Sequence, residues 1–272
     1  MEPPKGRIST KPRRFQQVVA DLQYTVFSVI RWRMANANHL QVTALGSGFF
    51  VAKDVFLTCS HVLNSAENPH QDGDTYHLAG HFAGKFAVHE IRQTAVGRDI
   101  FLYPDCDLGL IKAGGDVNQP YVALGYEDVP VGLEIGVAGY PLPRLIQGAD
   151  GKLQTAGLIF RVAKGVVTAS YKTNIQASTT VLPELPVVEV NFLFVPGNSG
   201  GPVFNAETGR VLAFVHGYQV IKIGERLETV TAIPQLPPGV GNSYIGAVHA
   251  VYSVAIKLDP VRAHIEQHGA TL

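Results

Sequence analysis

Cysteine is scarce: Cys59 and Cys106 are the only two among 272 residues. That is too few for the multi-bridge framework that staples small secreted enzymes, so reduced thiols in a cytoplasmic setting are the expectation. Net charge is missing as well. The 22 Lys and Arg offset 22 Asp and Glu, which leaves no overall field to gather nucleic acid or an anionic membrane. No apolar run is long enough to cross a bilayer, and the opening MEPPKGRISTKPRRFQQ has no apolar core of signal-peptide kind. Repeats of solenoid period and low-complexity tracts are lacking too, which excludes repeat architectures.

What the chain has instead is turn chemistry: 28 Gly and 17 Pro punctuate a sequence that is 46% hydrophobic and 16% charged. Between these breaks lie short apolar, β-branched runs. The first half holds TVFSVIRW (25–32), HLQVTALGSGFFVAK (39–53), VFLTCSHVL (55–63), KFAVHEIRQTAV (85–96) and LGLIKA (108–113). The second holds EIGVAGYP (134–141), LIFRVAKGVVTASY (158–171), VVEVNFLF (187–194), GRVLAFVHGYQVIKI (209–223) and SYIGAVHAVYSVAI (243–256). Such runs predict an all-β protein of barrels or sandwiches. KAGGDVNQP marks a joint between residues 25–118 and 119–272. Ahead of both, residues 1–24 begin with Pro3, Pro4 and Pro12 among Lys5, Arg7, Lys11, Arg13 and Arg14, which reads as a solvated basic arm, followed by a helical turn or two. At the other end DPVRAHIEQHG predicts a closing helix, with Asp259 as N-cap, Pro260 at the first position and Gly269 as stop.

The strongest chemical signal is FVPGNSGGPVF, residues 194–204. A serine set among glycines in a turn between strands has an exposed hydroxyl and unobstructed backbone N–H groups beside it. The turn Gly197, Asn198, Ser199 can therefore supply a nucleophile together with an oxyanion hole, the donors being the N–H groups of Gly197 and Ser199. A serine hydroxyl needs a base, and His61 stands where an apolar strand ends in VFLTCSHVL. The base needs a buried carboxylate to fix its tautomer. Asp107, just before the apolar LGLI, fits that place, and Asp105 is its nearest competitor.

These motifs in this order resemble the chymotrypsin-fold serine proteases, and among them the trypsin-like peptidases related to the HtrA protease domain. The resemblance is carried by GSGFFVAKDVFLTCSHVL, DCDLGLIKA, IGVAGYPLP with RVAKGVVTASY, and GNSGGPVFNAETGRVLAF, and it spans about residues 25–269. It implies two six-stranded Greek-key β-barrels with a short C-terminal helix, a His61, Asp107, Ser199 triad, protein or peptide substrates, and no cofactor. A homo-oligomer or an activating protein partner is compatible with it. The segment before Ser199 (Leu193, Phe194) and the strand at His216, Gly217 and Tyr218 would frame the pocket for the residue preceding the cut bond. With Leu193 where basic-specific relatives carry an acid, a medium apolar residue is the expected preference, and His216 is the alternative receptor for an acidic one. Asn198 carries no charge to receive a newly cut N-terminus, so activation by that route is not expected. The rival from another class is a latent or pseudoenzymatic peptide-binding module.

Two further features have bland readings beside sharper ones. Residues 64–90 hold four histidines, of which His77 and His81 would share a face if helical, but Gly73, Gly80 and Gly84 favour a solvated loop without metal. Cys59 and Cys106 flank the triad residues in sequence, which allows a redox bridge or simply two small buried side chains.

Overall fold

The computed structural model describes residues 6–36, 39–82, 85–91, 97–113, 119–141, 146–147, 153–154, 158–177, 180–223 and 248–269. The chain enters through helix α1 (Phe15–Leu22), whose Val18 and Leu22, one helical turn apart, are buried. Strands β1 (Val26–Asn36), β2 (His39–Phe50) and β3 (Val55–Cys59) follow, then the single helical turn α2 (Ser60–Leu63). The first unit continues with β4 (Thr75–Phe82), β5 (Lys85–Ile91), β6 (Ile100–Tyr103) and β7 (Leu108–Lys112). It forms one antiparallel sheet in the order β5-β4-β1-β2-β3-β7-β6.

The second unit opens with β8 (Glu134–Gly139). Among the described residues, the two-residue strands β9 (Ile146–Gln147) and β10 (Leu153–Gln154) pair only with each other. Then come the long hairpin β11 (Arg161–Ala177) and β12 (Thr180–Val190), β13 (Pro202–Asn205), β14 (Val211–Ile223) and β15 (Val248–Lys257). Six of these close a barrel in the order β11-β12-β15-β14-β13-β8. A short 3₁₀ turn at Asp259–Val261 leads into helix α3 (Arg262–Gln267), and Gly269 follows with φ +98. The terminal helix thus stands where its stop signal places it, one turn shorter because its first residues wind as 3₁₀.

Burial explains why these runs are strands. β3 is buried at every position and β7 at all but Lys112, as expected of strands covered on both faces. In the first unit Phe27, Phe50 and Phe56 meet edge to face, with centroids 5.6 Å apart for Phe27 and Phe50 and 5.2 Å for Phe50 and Phe56. A second cluster around Ile135, Val188, Phe194, Val203 and Val215 fills the closed barrel.

Three expectations change. The N-terminal arm is not loose where it is described: Ile8 is buried, Arg7 bridges Tyr121, and the Arg13 N–H donates to the Glu207 carbonyl at 3.0 Å. Its basic side chains are partly consumed locally, since Arg13 pairs with Asp21. Part of the 64–90 loop is strand β4, where Gly80 is required because a Cβ would meet the Phe27 ring and sit 3.0 Å from the Tyr140 hydroxyl. Finally, the first unit has seven strands rather than six. The IFLY run that forms β6 was not among the expected strands, and it adds one by pairing with β7 across a tight Pro104–Cys106 turn.

Candidate active site

The β6–β7 turn sets the acid. Asp107 is the one non-glycine residue with positive φ among those described, at φ 51, a conformation Asp tolerates better than most side chains and one often found where structure is held for function. From there its carbonyl accepts the Ser60 N–H at 2.9 Å and its Oδ1 accepts the His61 N–H at 3.0 Å. Its Oδ2 meets His61 Nδ1 at 2.8 Å. Because an ionised carboxylate only accepts, Nδ1 carries the proton, and Nε2 is left as the basic nitrogen. Asp105, the competitor, takes no part in these contacts.

The same Oδ2 also meets His216 Nδ1, at 2.7 Å. Burial pushes the Asp107 carboxyl up, but the His61 charge and the hydrogen bonds from both histidines prevail and hold it well below the usual carboxylate range. For His61, burial pulls down and Asp107 pulls up; Asp107 prevails, so the imidazole binds its proton more tightly than an ordinary histidine.

The nucleophile loop comes from the second unit. Pro196 and Gly197 occupy the middle of a tight turn in which the Asn198 N–H donates to the Val195 carbonyl at 3.0 Å, with Gly197 at φ +97. That is the turn a Pro-Gly pair favours. Asn198 spends its N–H on this turn and is not an oxyanion donor. Among the described residues the N–H groups of Gly197 and Ser199 have no protein acceptor, which leaves them to a ligand oxygen. The Ser199 hydroxyl donates to the His216 carbonyl at 3.1 Å rather than to His61.

Ser47 ties this loop to the first unit, a role that its local sequence does not declare. Its N–H donates to the Ser199 carbonyl at 2.8 Å, its hydroxyl donates to the Gly197 carbonyl at 2.6 Å, and the hydroxyl oxygen accepts the Tyr140 N–H at 2.8 Å. Thr58 in turn donates to the Ser47 carbonyl at 2.7 Å. The signal was its place in GSG: a Cβ on Gly46 would lie 2.9 Å from the Ser199 carbonyl, so glycine is needed for the loop to approach.

A family model described as trypsin-like peptidase domain matches residues 46–214, more than half of the chain, taking in Ser47, His61, Asp107 and Ser199 and ending two residues short of His216. This chain belongs to the trypsin-like peptidase family. Among curated relatives, a probable periplasmic serine endoprotease DegP-like of Halomonas elongata is 28% identical over 169 residues, covering 60% of this chain and 27% of the relative. One of the same description from Pseudomonas putida is 30% identical over 170 residues, covering 61% and 28%. The chain thus spans about a quarter of the length of the curated relatives it matches. Among solved structures, the Rv3671c protease of M. tuberculosis in its active form aligns with TM-score 0.57 at 17% identity, covering 100% of this chain and 93% of that one. The HtrA-type protease AlgW with decapeptide aligns with TM-score 0.59 at 15% identity, covering 94% and 69%. These structural likenesses bear on the chymotrypsin-like fold, which they share with this trypsin-like peptidase chain.

Of the pocket residues expected for this family, Leu193 is 57% exposed and Tyr218 53% exposed, while Phe194 is buried in the barrel core with its N–H on the Ser253 hydroxyl at 2.7 Å. His216 does not face a substrate side chain as the acid-receptor alternative required; its ring is turned onto Asp107. The two thiols are free and buried. Cys59 donates to the Val215 carbonyl at 3.1 Å and Cys106 to the Tyr103 carbonyl at 3.6 Å. Burial pushes both thiols up, Cys106 to about 11. Cys59, His61 and Asp107 offer ligand atoms within 4.8 Å of one another, yet a buried, protonated thiol already engaged with a carbonyl is a poor metal ligand. In the 64–90 segment, His77 stacks on Trp32 with centroids 4.1 Å apart, His70 bonds Tyr76 at 2.9 Å, and Asp74 is clamped by Arg33 at 2.6 Å. The side chains of His81 and His89 lie outside the described residues.

Proposed function

We propose that this chain is a serine endopeptidase acting through an acyl-enzyme. The carrying observation is the pair of His61 with the buried Asp107 at 2.8 Å, beside a glycine-flanked Ser199 loop with two uncommitted N–H groups. Ser199 turns from the His216 carbonyl toward His61; Nε2 takes its proton as Oγ bonds to the peptide carbonyl carbon. The carbonyl oxygen becomes an alkoxide held by the N–H groups of Gly197 and Ser199. His61 then returns the proton to the leaving amine as the carbon–nitrogen bond breaks, and water repeats the sequence to free the acid. Support comes from the family match and from AlgW, a structural neighbour solved with a decapeptide. The exposed Leu193 near the loop favours a medium apolar residue before the cut bond.

One observation favours a second reading, a latent enzyme: the nucleophile rests on the His216 carbonyl instead of its base. A fluorophosphonate probe, with the adduct located by mass spectrometry and followed by a peptide library, separates the readings. Labelling of Ser199, its loss in Ser199→Ala, and cleavage after apolar residues are expected. Folded protein that stays unlabelled would favour latency, and cleavage after Arg or Lys would overturn the apolar preference.

A further inference from the structure

We propose that Ser47 is a positioning residue of the oxyanion hole: from the first unit it sets the direction of the N–H groups that the nucleophile loop of the second unit offers to a substrate carbonyl. This rests on the peptidase reading above. Ser47 lies on β2, fully buried, and every polar group it has is engaged. Its hydroxyl donates to the Gly197 carbonyl at 2.6 Å and accepts the Tyr140 N–H at 2.8 Å. Its own N–H donates to the Ser199 carbonyl at 2.8 Å, and its carbonyl accepts the Thr58 hydroxyl at 2.7 Å.

A peptide group is a rigid plane, so holding its carbonyl also aims the N–H at its other end. The Ser199 N–H shares its plane with the Asn198 carbonyl, which accepts the Gly201 N–H at 2.8 Å. The planes before and after carry the carbonyls of Gly197 and Ser199, and Ser47 holds both. Three consecutive planes are thus pinned, two of them by one residue. The Gly197 N–H lies one plane earlier. Glycine takes either sign of φ with ease, but here the plane that follows Gly197 is held at both ends, by the Asn198 N–H on the Val195 carbonyl and by the Gly197 carbonyl on Ser47, and the residue stands at φ +97. The surroundings are shaped to admit Ser47. A Cβ on Gly139 would lie 2.9 Å from its hydroxyl oxygen and one on Gly200 2.2 Å from its carbonyl oxygen, so β8 and the loop both close on Ser47 through positions without a side chain. None of the bonds just named touches His61 or Asp107, which separates the effect of Ser47 from that of the base.

The test is Ser47→Ala, which removes the hydroxyl and keeps the main-chain bonds. Thr58→Val, which removes only the donor to the Ser47 carbonyl, is the milder variant and takes its place should the first fail to fold. Three readouts are taken: kcat and KM on a peptide substrate; the affinity of a peptide aldehyde, whose adduct with Ser199 places an oxyanion against the same N–H groups; and NMR of the Gly197 and Ser199 amides beside the His61 titration, which needs no activity. Losing a whole oxyanion donor costs about 10²–10³ in kcat, and a displaced donor loses part of that, so in Ser47→Ala kcat should fall about 10- to 100-fold with KM little changed. Aldehyde affinity should fall by a comparable factor, both amide resonances should shift, and the His61 titration should stay where it is. Unmoved amides with unchanged kcat would overturn the proposal, and so would a loss of kcat that tracks a displaced His61 titration. Shifted amides in a protein whose Ser199 never reacts with the fluorophosphonate would instead sink the peptidase reading and leave the positioning role standing.

Discussion

Asp107 shows how much chemistry a single backbone conformation can carry. Its positive φ turns the carboxylate inward while its carbonyl holds Ser60, so the residue organises the chain that bears the base as well as the base itself. Asp107→Asn can keep the left-handed backbone, since Asn tolerates it, but its amide can present a donor to a ring nitrogen and forces the wrong tautomer. We expect kcat/KM to fall by about 10³–10⁴-fold with the fold retained, checked by kinetics beside a circular dichroism melt. The pH dependence has a definite sign. His61 holds its proton above its ordinary value of 6.5, so the rising limb of kcat/KM should lie above that value. Asp107 is depressed from 3.8, so its contribution to stability is present above that value and lost as pH falls through the lower folded one. A rising limb at or below 6.5 would contradict the pairing.

At this scale the sequence was readable where a motif confines the chemistry. His61 and Ser199 stand inside motifs, and the choice of Asp107 over Asp105 followed from its place before an apolar strand. His216 and Ser47 were not readable in their roles. Each acts through a contact between segments more than 90 residues apart, Ser47 with Tyr140 and His216 with Asp107, and no local pattern encodes such pairing.

Among elements, most strands are legible as apolar, β-branched runs, and TYHLAGHF and IFLY are among those that are not. TYHLAGHF looked like loop because Gly80 and its polar neighbours mask the alternation, yet the glycine is there to admit the Phe27 ring between sheet and core. Gly80→Ala should therefore cost about 1–3 kcal/mol, the range for overpacking a filled core, read from the midpoint of denaturant unfolding. A change within experimental error would mean that Phe27 can move aside. IFLY gives a weak signal for a different reason. It is only four residues long, and its partner lies across a turn whose 3₁₀ geometry is set by Pro104.

For the whole molecule, the joint between units and the basic arm belong together. Residues 6–13 run from Tyr121, just past the joint, to Glu207 in the second unit, with Ile8 buried between. Deleting residues 1–14 should lower unfolding free energy by about 2–3 kcal/mol, the worth of one buried Ile side chain and a few main-chain bonds. Chemical denaturation of the full and shortened chains checks this, and equal midpoints would return the segment to a passive tail. Composition gave no hint of the docking, because prolines and basic residues describe solvated tails far more often than packed ones.

The split of reacting groups between the units has a consequence for when this chain can act. In the proposed mechanism base and acid belong to the first unit, the nucleophile and its N–H donors to the second, and Ser47 reaches from one to the other to hold the Ser199 loop. Neither part owns a complete set. During synthesis the base and acid are made first and wait, harmless, until the later segment folds against them. A nick or partial melt that separates the two would silence the site long before the strands themselves dissolve. Under the proposed peptidase activity, hydrolysis would report that assembly has finished.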